Sequence, residues 1–198
     1  MEYRIMGAPD GYWNNGHCEG TPECPPRCPR FTDKRGTPML ALPYDDADRE
    51  ALLDMYDQFT QYDRAQGLPP QTRDRTANWI DSLVGNGLNL VIHRDGSIVG
   101  HVGVVPMTSE APELVVFVHP EWQGRGIGTE LMHQAIAHVS AAGREALRLE
   151  VMSDNRTALA VYQNIGFDVI ERTFNELAMR LSLSLPIAQE VQRPPAVR

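Results

Sequence analysis

Gln123, Gly124, Arg125, Gly126, Ile127, Gly128 and Thr129 stand between an apolar run, 114–118, and an amphipathic stretch, 128–142. That order is a strand, a glycine-rich turn and a helix, and its chemistry is anion binding. Glycine carries no Cβ, so the backbone can turn sharply and approach a ligand closely. The first N–H groups of the following helix have no intrahelical partners and lie at the positive end of its dipole. Spacing narrows the choice of phosphate ligand. A dinucleotide fingerprint needs Gly-x-Gly-x-x-Gly, whereas these glycines alternate with single residues. A nucleotide P-loop ends in Gly-Lys-Ser/Thr, and the only lysine of the chain is Lys34.

A second group of chemically capable residues lies near the start. His17, Cys18, Cys24 and Cys28 offer four soft ligands within twelve residues. A Cys3His tetrahedral zinc site is one reading, although adjacent His17 and Cys18 strain joint use. The other is an arm with free thiols, since three cysteines cannot all pair within one chain.

The elements that must position these residues follow from periodicity. Residues 1–36 carry glycine, proline and all the cysteines with no regular pattern, and read as an irregular extension. A short strand is predicted over 39–43. Asp45 is placed to cap a helix to about residue 59, and the segment 62–70 breaks it. A second helix is predicted over 72–83, with Gly85 as its stop. Asp95-Gly96 is a hairpin turn signal between strands 88–94 and 97–107. A third strand covers 114–118, a helix 128–142, a strand 146–152, a helix capped by Asp154 or Asn155 to Ile165, and two final strands, 167–172 and 176–185. The tail 186–198 reads as loose. The order β-α-α-β-β-β-α-β-α-β-β predicts an α+β domain over 37–185, with a mixed, mostly antiparallel sheet flanked by helices.

Three segments in the correct order carry a family resemblance. Gln123-Gly-Arg-Gly126-Ile-Gly128 resembles the Gln/Arg-x-x-Gly-x-Gly/Ala turn of the GNAT N-acetyltransferase superfamily. His119-Pro120 resembles the usual entry to that turn. Asn155-Arg-Thr-Ala158 with Tyr162 and Gly166-Phe167 is similar to the family's second CoA segment. The match covers about 38–185 and implies the GNAT fold and acetyl-CoA as co-substrate. It also implies transfer of an acetyl group to a primary amine by direct attack.

By resemblance, the backbone of Gln123, Gly124, Arg125, Gly126, Ile127, Gly128 and Thr129 holds the pyrophosphate, and the Arg125 side chain either adds charge or is solvated. Phe117 and Val118 present backbone groups to the pantetheine arm through a bulge in their strand, with Val118 N–H as the oxyanion donor. Asn155 contacts the CoA arm, caps its helix, or does both.

Glu113 lies ten residues before Gln123, a spacing similar to that of the catalytic glutamate in GNAT domains that acetylate protein lysines. The need is physical: an amine of pKa ~10.4 is ~4.6 kcal/mol from its free base at pH 7, and a carboxylate can relay that proton. By resemblance, Tyr162 is the candidate general acid toward the departing thiolate, with a core tyrosine on the buried helix face as the alternative. A phenol near ~10 is a weaker acid than a thiol near ~8.5, so a hydrogen bond to sulfur suffices for that role. His101 is a further candidate on the middle strand, with an ordinary buried strand residue as the alternative. No cysteine lies in these segments, which argues against an acetyl-cysteine intermediate.

Composition bounds the rest. A net charge of −8 disfavours a nucleic-acid partner. No apolar run approaches 18 residues and no signal-peptide pattern opens the chain, so no membrane partner is expected and a cytoplasmic location is the default. The first predicted helix carries Asp45, Asp46, Asp48, Glu50, Asp54 and Asp57. These acids either wall a site for a cationic amine or form a solvated face. The acceptor, a small-molecule amine or a protein lysine or N-terminus, stays open. So does a non-catalytic acyl-CoA sensor. A homodimer through sheet edges is a family habit that the chain alone does not decide.

Overall fold

The computed structural model describes residues 16–60 and 69–198. The predicted break over 62–70 lies largely outside the described residues, as do the first 15 residues of the predicted irregular extension. One sheet of eight strands runs in the order β1 (Arg30–Thr32), β2 (Pro38–Pro43), β3 (Leu88–Arg94), β4 (Ser97–Val105), β5 (Glu113–Val118), β6 (Ala146–Met152), β8 (Glu176–Ser182), β7 (Asp168–Arg172). Every neighbouring pair is antiparallel except β5 and β6. The chain thus adopts the expected α+β fold with a mixed, mostly antiparallel sheet.

Helices α1 (Arg49–Asp57) and α2 (Arg73–Asn86) cover one face. Leu52, Met55, Tyr56 and Ile80 from these helices pack on Val91 and Ile98 of the sheet. The larger core gathers helix α3 (Ile127–Ala141) and helix α4 (Arg156–Ile165) on strands β2 to β8. Gly100 of β4 brings α3 close: a Cβ there would sit 3.0 Å from Leu131 and 3.1 Å from Ile127. The absent side chain thereby fixes how tightly the helix start lies against the sheet.

Local signals act largely as read. Asp95 and Gly96 both take positive φ, 50° and 80°, as a two-residue hairpin requires. Asp45 caps a 3-10 turn, Asp46–Asp48, that leads into α1. Thr72 caps α2 and Asn155 caps α4. One stop signal fails. Helix α2 runs through Gly85 and ends at Gly87, where a Cβ would meet Val104 O at 2.0 Å.

The two ends of the chain differ from expectation. Residues 30–32, inside the predicted irregular extension, pair with β2. The tail is folded, with α5 (Pro186–Glu190) and a 3-10 turn, Pro195–Val197. Ala188 and Val191 are 1% and 3% exposed, so the tail contributes to the core. Arg27, Cys28 and the tail meet on α3. Arg27 donates Nε and Nη2 to the Glu130 carboxylate, each at 2.7 Å, and Nη1 to Val191 O at 2.7 Å. Gln134 donates to Cys28 O and to Glu130. Apart from the Gln134–Glu130 pair within α3, these contacts join residues far apart in sequence, so no local pattern announces them. Among the described residues no helix is long and apolar enough to cross a membrane.

Candidate active site

Strands β5 and β6 meet at one register pair, Glu113 with Arg148, and then separate. The gap opens toward the C-terminal end of β5. His119 N–H reaches back to Val99 O, so alternation turns the N–H groups of odd-numbered residues toward β4 and those of Val116 and Val118 toward the gap. The predicted bulge is not in β5, whose pairing with β4 is unbroken from Glu113 to Val118. A register shift falls instead between β3 and β4, leaving Val99 as the extra residue. Exposure of the β5 backbone therefore comes from the departure of β6. The Gln123 side-chain amide donates to Val118 O at 3.2 Å, tying the turn to the end of the strand.

After β5, a 3-10 turn (Pro120–Trp122) leads to the glycine turn. Gly124 and Gly126 have φ of 70° and 86°, a region that favours glycine, and Gly126 is the N-cap of α3. Gly128 is already helical. An added Cβ there would make only an ordinary contact with Val118 Cγ2, at 3.5 Å. No side chain caps α3, so its leading N–H groups are left to an anion. They border a cavity of about 500 Å3 lined by Gln123, Gly124, Gly126, Ile127, Gly128 and Thr129, by Val116 and Val118, and by Asn155 and Tyr162 of the α4 segment. A substituent at Gly126 would be strained and would meet the Lys34 stem at 3.4 Å. Gly126→Ala is expected to weaken acetyl-CoA binding by about 5- to 30-fold by calorimetry, as the turn shifts to relieve the ~1–2 kcal/mol penalty for a left-handed alanine.

A smaller cleft of about 180 Å3 adjoins this cavity and shares Val116, Val118, Gln123, Asn155, Ala158 and Tyr162 with it. Glu113 and Glu150 line the smaller cleft together. Burial, then the nearby Glu150 carboxylate, raises the pKa of Glu113, and Arg148 opposes them. Tyr162 is half-buried against Phe167, with ring centroids 6.0 Å apart. Burial pushes its hydroxyl up to about 12. Asn155 Oδ1 accepts from Ala158 N at 3.1 Å, while the residue also lines both cavities.

Residues 50–167, more than half of the chain, match the family model described as Acetyltransferase (GNAT) family. The chain belongs to the GNAT family. Individual GNAT relatives are distant. The mycothiol acetyltransferase of Paenarthrobacter aurescens is 33% identical over 99 residues, covering 47% of this chain and 30% of its own length. The ribosomal protein bS18-alanine N-acetyltransferase of Salmonella typhimurium is 29% identical over 107 residues, covering 51% of this chain and 72% of its own. The chain spans about a third of the mycothiol enzymes it matches. Among solved structures, the GNAT domain of S. lividans PAT superposes with a TM-score of 0.67 at 17% identity, covering 78% of this chain and 96% of that one. The yncA protein of Salmonella typhimurium, solved with acetyl-CoA, gives 0.62 at 22% identity, covering 73% and 94%. The latter two establish the shared GNAT fold.

Within the GNAT frame, several expectations need correction. Phe117 does not line the larger cavity. Its ring packs with Tyr56, Phe59 and Trp79, centroids 5.5 to 5.8 Å apart, and faces the smaller cleft. Arg125 is 9% exposed and turns away from the cavity: Nε donates to Asp33 at 2.5 Å, Nη2 donates to Thr37 at 2.8 Å, and the guanidinium lies 4.1 Å from the Trp122 ring centre. His101 is buried beneath α1 and away from the cleft. Its Nδ1 lies 2.6 Å from the Tyr56 hydroxyl and its Nε2 3.1 Å from Asn89 Oδ1, whose amide donates to Leu83 O. Burial lowers the His101 pKa to about 3, which keeps the ring neutral. A neutral ring accepting from Tyr56 and donating to Asn89 satisfies the whole chain of polar groups.

The acidic first helix does not wall the cleft either. Glu50, Asp54 and Asp57 converge on Arg73 of α2, and Asp48 lies 3.4 Å from His93. These pairs join the two helices to each other and to the sheet. The zinc reading also fails. Among the described residues, no group of three or more His, Cys, Asp or Glu side chains converges as metal ligands would. Cys18 and Cys24 are exposed, Cys28 is half-buried, and Cys24 Sγ accepts instead from Thr21 N at 3.3 Å. Sequence reasoning missed two residues at the cavities, Glu150 and Lys34. Strand alternation allowed the first; nothing local signalled the second.

Proposed function

We propose that the protein is an acetyl-CoA-dependent N-acetyltransferase that moves the acetyl group to a primary amine by direct attack. The observation that carries this reading is the meeting of two cavities at the β5–β6 gap. One side offers an uncapped helix start to phosphates, and the other offers Glu113 beside Glu150. Glu113 accepts the ammonium proton through water, and its raised pKa brings it nearer the working pH of a general base. The amine nitrogen then forms a bond to the thioester carbon, and the carbon–sulfur bond breaks. Val118 N–H meets the charge that develops on the carbonyl oxygen. The Tyr162 phenol, held near 12, is a weaker acid than a thiol of ~8.5, so it stabilises the leaving sulfur by a hydrogen bond and leaves full protonation to solvent.

Two carboxylates in the acceptor cleft favour an amine that arrives cationic, whether a small molecule or a protein lysine or N-terminus. The test is thiol release from acetyl-CoA across a panel of amines, basic peptides and protein N-terminal peptides. Turnover on one acceptor class, lost in Glu113→Gln, supports the reading. Tight acetyl-CoA binding with no turnover on any acceptor would replace it with an acyl-CoA sensor.

The carboxylate pair gives a signed pH prediction. Glu150 raises the pKa of Glu113 by repulsion, so Glu150→Gln should lower it. The acidic limb of the kcat/KM profile is expected to move to lower pH in Glu150→Gln and to higher pH in Arg148→Gln. An unmoved limb in both variants would remove Glu113 as the titrating base.

A further inference from the structure

The turn of the β1–β2 hairpin lies on the glycine turn, although the two are far apart in sequence. Lys34 N donates to Arg125 O at 3.0 Å, and the buried Asp33 carboxylate holds the Arg125 guanidinium at 2.5 Å. Asp33 also accepts from the N–H groups of Arg35 and Thr37, which shapes the hairpin turn. Burial alone would favour the neutral acid, but these hydrogen bonds outweigh it and hold the Asp33 carboxyl below its usual range. The docking is therefore intact at neutral pH and is lost as pH falls through the lowered pKa.

The docking reassigns the cation of the site. Arg125, the basic residue within the motif, is spent on the hairpin and does not border the 500 Å3 cavity. Lys34 does border it. Its methylene stem crosses Gly126, with Cγ, Cε and Cδ at 3.4, 3.5 and 3.7 Å from the position of an added Cβ. Among the described residues no carboxylate pairs with the Lys34 ammonium. The uncapped start of α3 borders the same cavity. An unpaired cation and orphan donors bordering one space complement the two negative charges of a pyrophosphate bridge.

We propose that Lys34, delivered by the N-terminal hairpin, binds the pyrophosphate of acetyl-CoA, with Arg125 and Asp33 acting as positioning residues that hold it there. This rests on the acetyltransferase reading above and gives the region before the family match a role in the site. The chain's single lysine thus serves as a phosphate clamp outside the glycine motif.

The full chain is titrated calorimetrically with acetyl-CoA and with 3′-dephospho-acetyl-CoA, at low salt because the ammonium is exposed. Lys34→Ala is expected to weaken acetyl-CoA about tenfold, and Lys34→Arg to restore most of that loss. The same loss should appear with the dephospho ligand, which keeps the pyrophosphate. A Lys34→Ala affinity equal to wild type would overturn the proposal. A loss that vanishes with the dephospho ligand would assign Lys34 to the ribose phosphate and overturn the pyrophosphate contact. Asp33→Asn, with Lys34 intact, should reproduce part of the loss; no loss would remove the positioning role. If the wild-type protein itself fails to bind acetyl-CoA, the acetyltransferase reading fails first, and the phosphate clamp falls with it.

Discussion

Glu113→Gln is expected to lower kcat/KM for the amine acceptor by ~10²–10⁴, the usual range for loss of a positioned general base. Glutamine keeps the shape of the side chain and cannot take a proton. Binding of acetyl-CoA should be unchanged, because Glu113 lines the smaller cleft and does not line the cavity under the glycine turn. The defect should also depend on pH in a defined direction. As the proposed general base, Glu113 would accept the proton of an ammonium group, so it should matter most where the acceptor is protonated. As pH approaches the amine's own pKa, near ~10.4 for a lysine-like group, solvent supplies the free amine and the variant should approach wild type. A deficit that stayed constant across that range would mean that Glu113 positions the acceptor and leaves proton transfer to another group.

The second large effect concerns stability. Arg27 and Glu130 are 7% and 9% exposed and share two hydrogen bonds of 2.7 Å. Truncating either side leaves a charge buried without its partner. Arg27→Met and Glu130→Met are each expected to cost ~3–5 kcal/mol. For a chain of this size that is a fall in Tm of roughly 10 °C by thermal denaturation. The double variant should recover most of that loss, because an apolar pair of similar volume has no desolvated charge to satisfy. Single variants within 1 kcal/mol of wild type would show that the pair adds nothing to the attachment of the two chain ends. The consequence reaches the candidate site, since Glu130 lies in the first turn of α3, next to the helix start that borders the larger cavity.

The two predictions mark the boundary of what could be read from residue order. Glu113, the glycine turn, Asn155 and Tyr162 all occur in short segments whose element types follow from local chemistry. Gly126 takes positive φ because a turn into a helix needs it there, and Asn155 caps α4 because its side chain can reach Ala158 N. The hairpin at Asp95 and Gly96 is legible for the same reason. Arg125 shows the opposite case. Its position in the motif suggests a phosphate contact, yet Asp33 and Thr37 claim its side chain from another element. The acids of the first helix misled similarly, because Arg73 lies across a segment that no helical periodicity spans.

By itself, then, the sequence determined the element order from β2 to β8, the α+β sheet, the glycine turn before α3 and the candidates for proton transfer. Each of these depends on interactions within a few residues: backbone sterics, caps and the alternation of apolar side chains. Only the tertiary structure decided that β6 leaves β5 just after Glu113, that Glu150 faces Glu113, that His101 lies sealed under α1, and that Lys34 rather than Arg125 borders the cavity. It also decided that the segment around Arg27 and the C-terminal tail fold onto α3. Those outcomes are choices among long-range partners. A charged side chain in a linear sequence carries its sign and reach and gives no indication of which distant group will meet it.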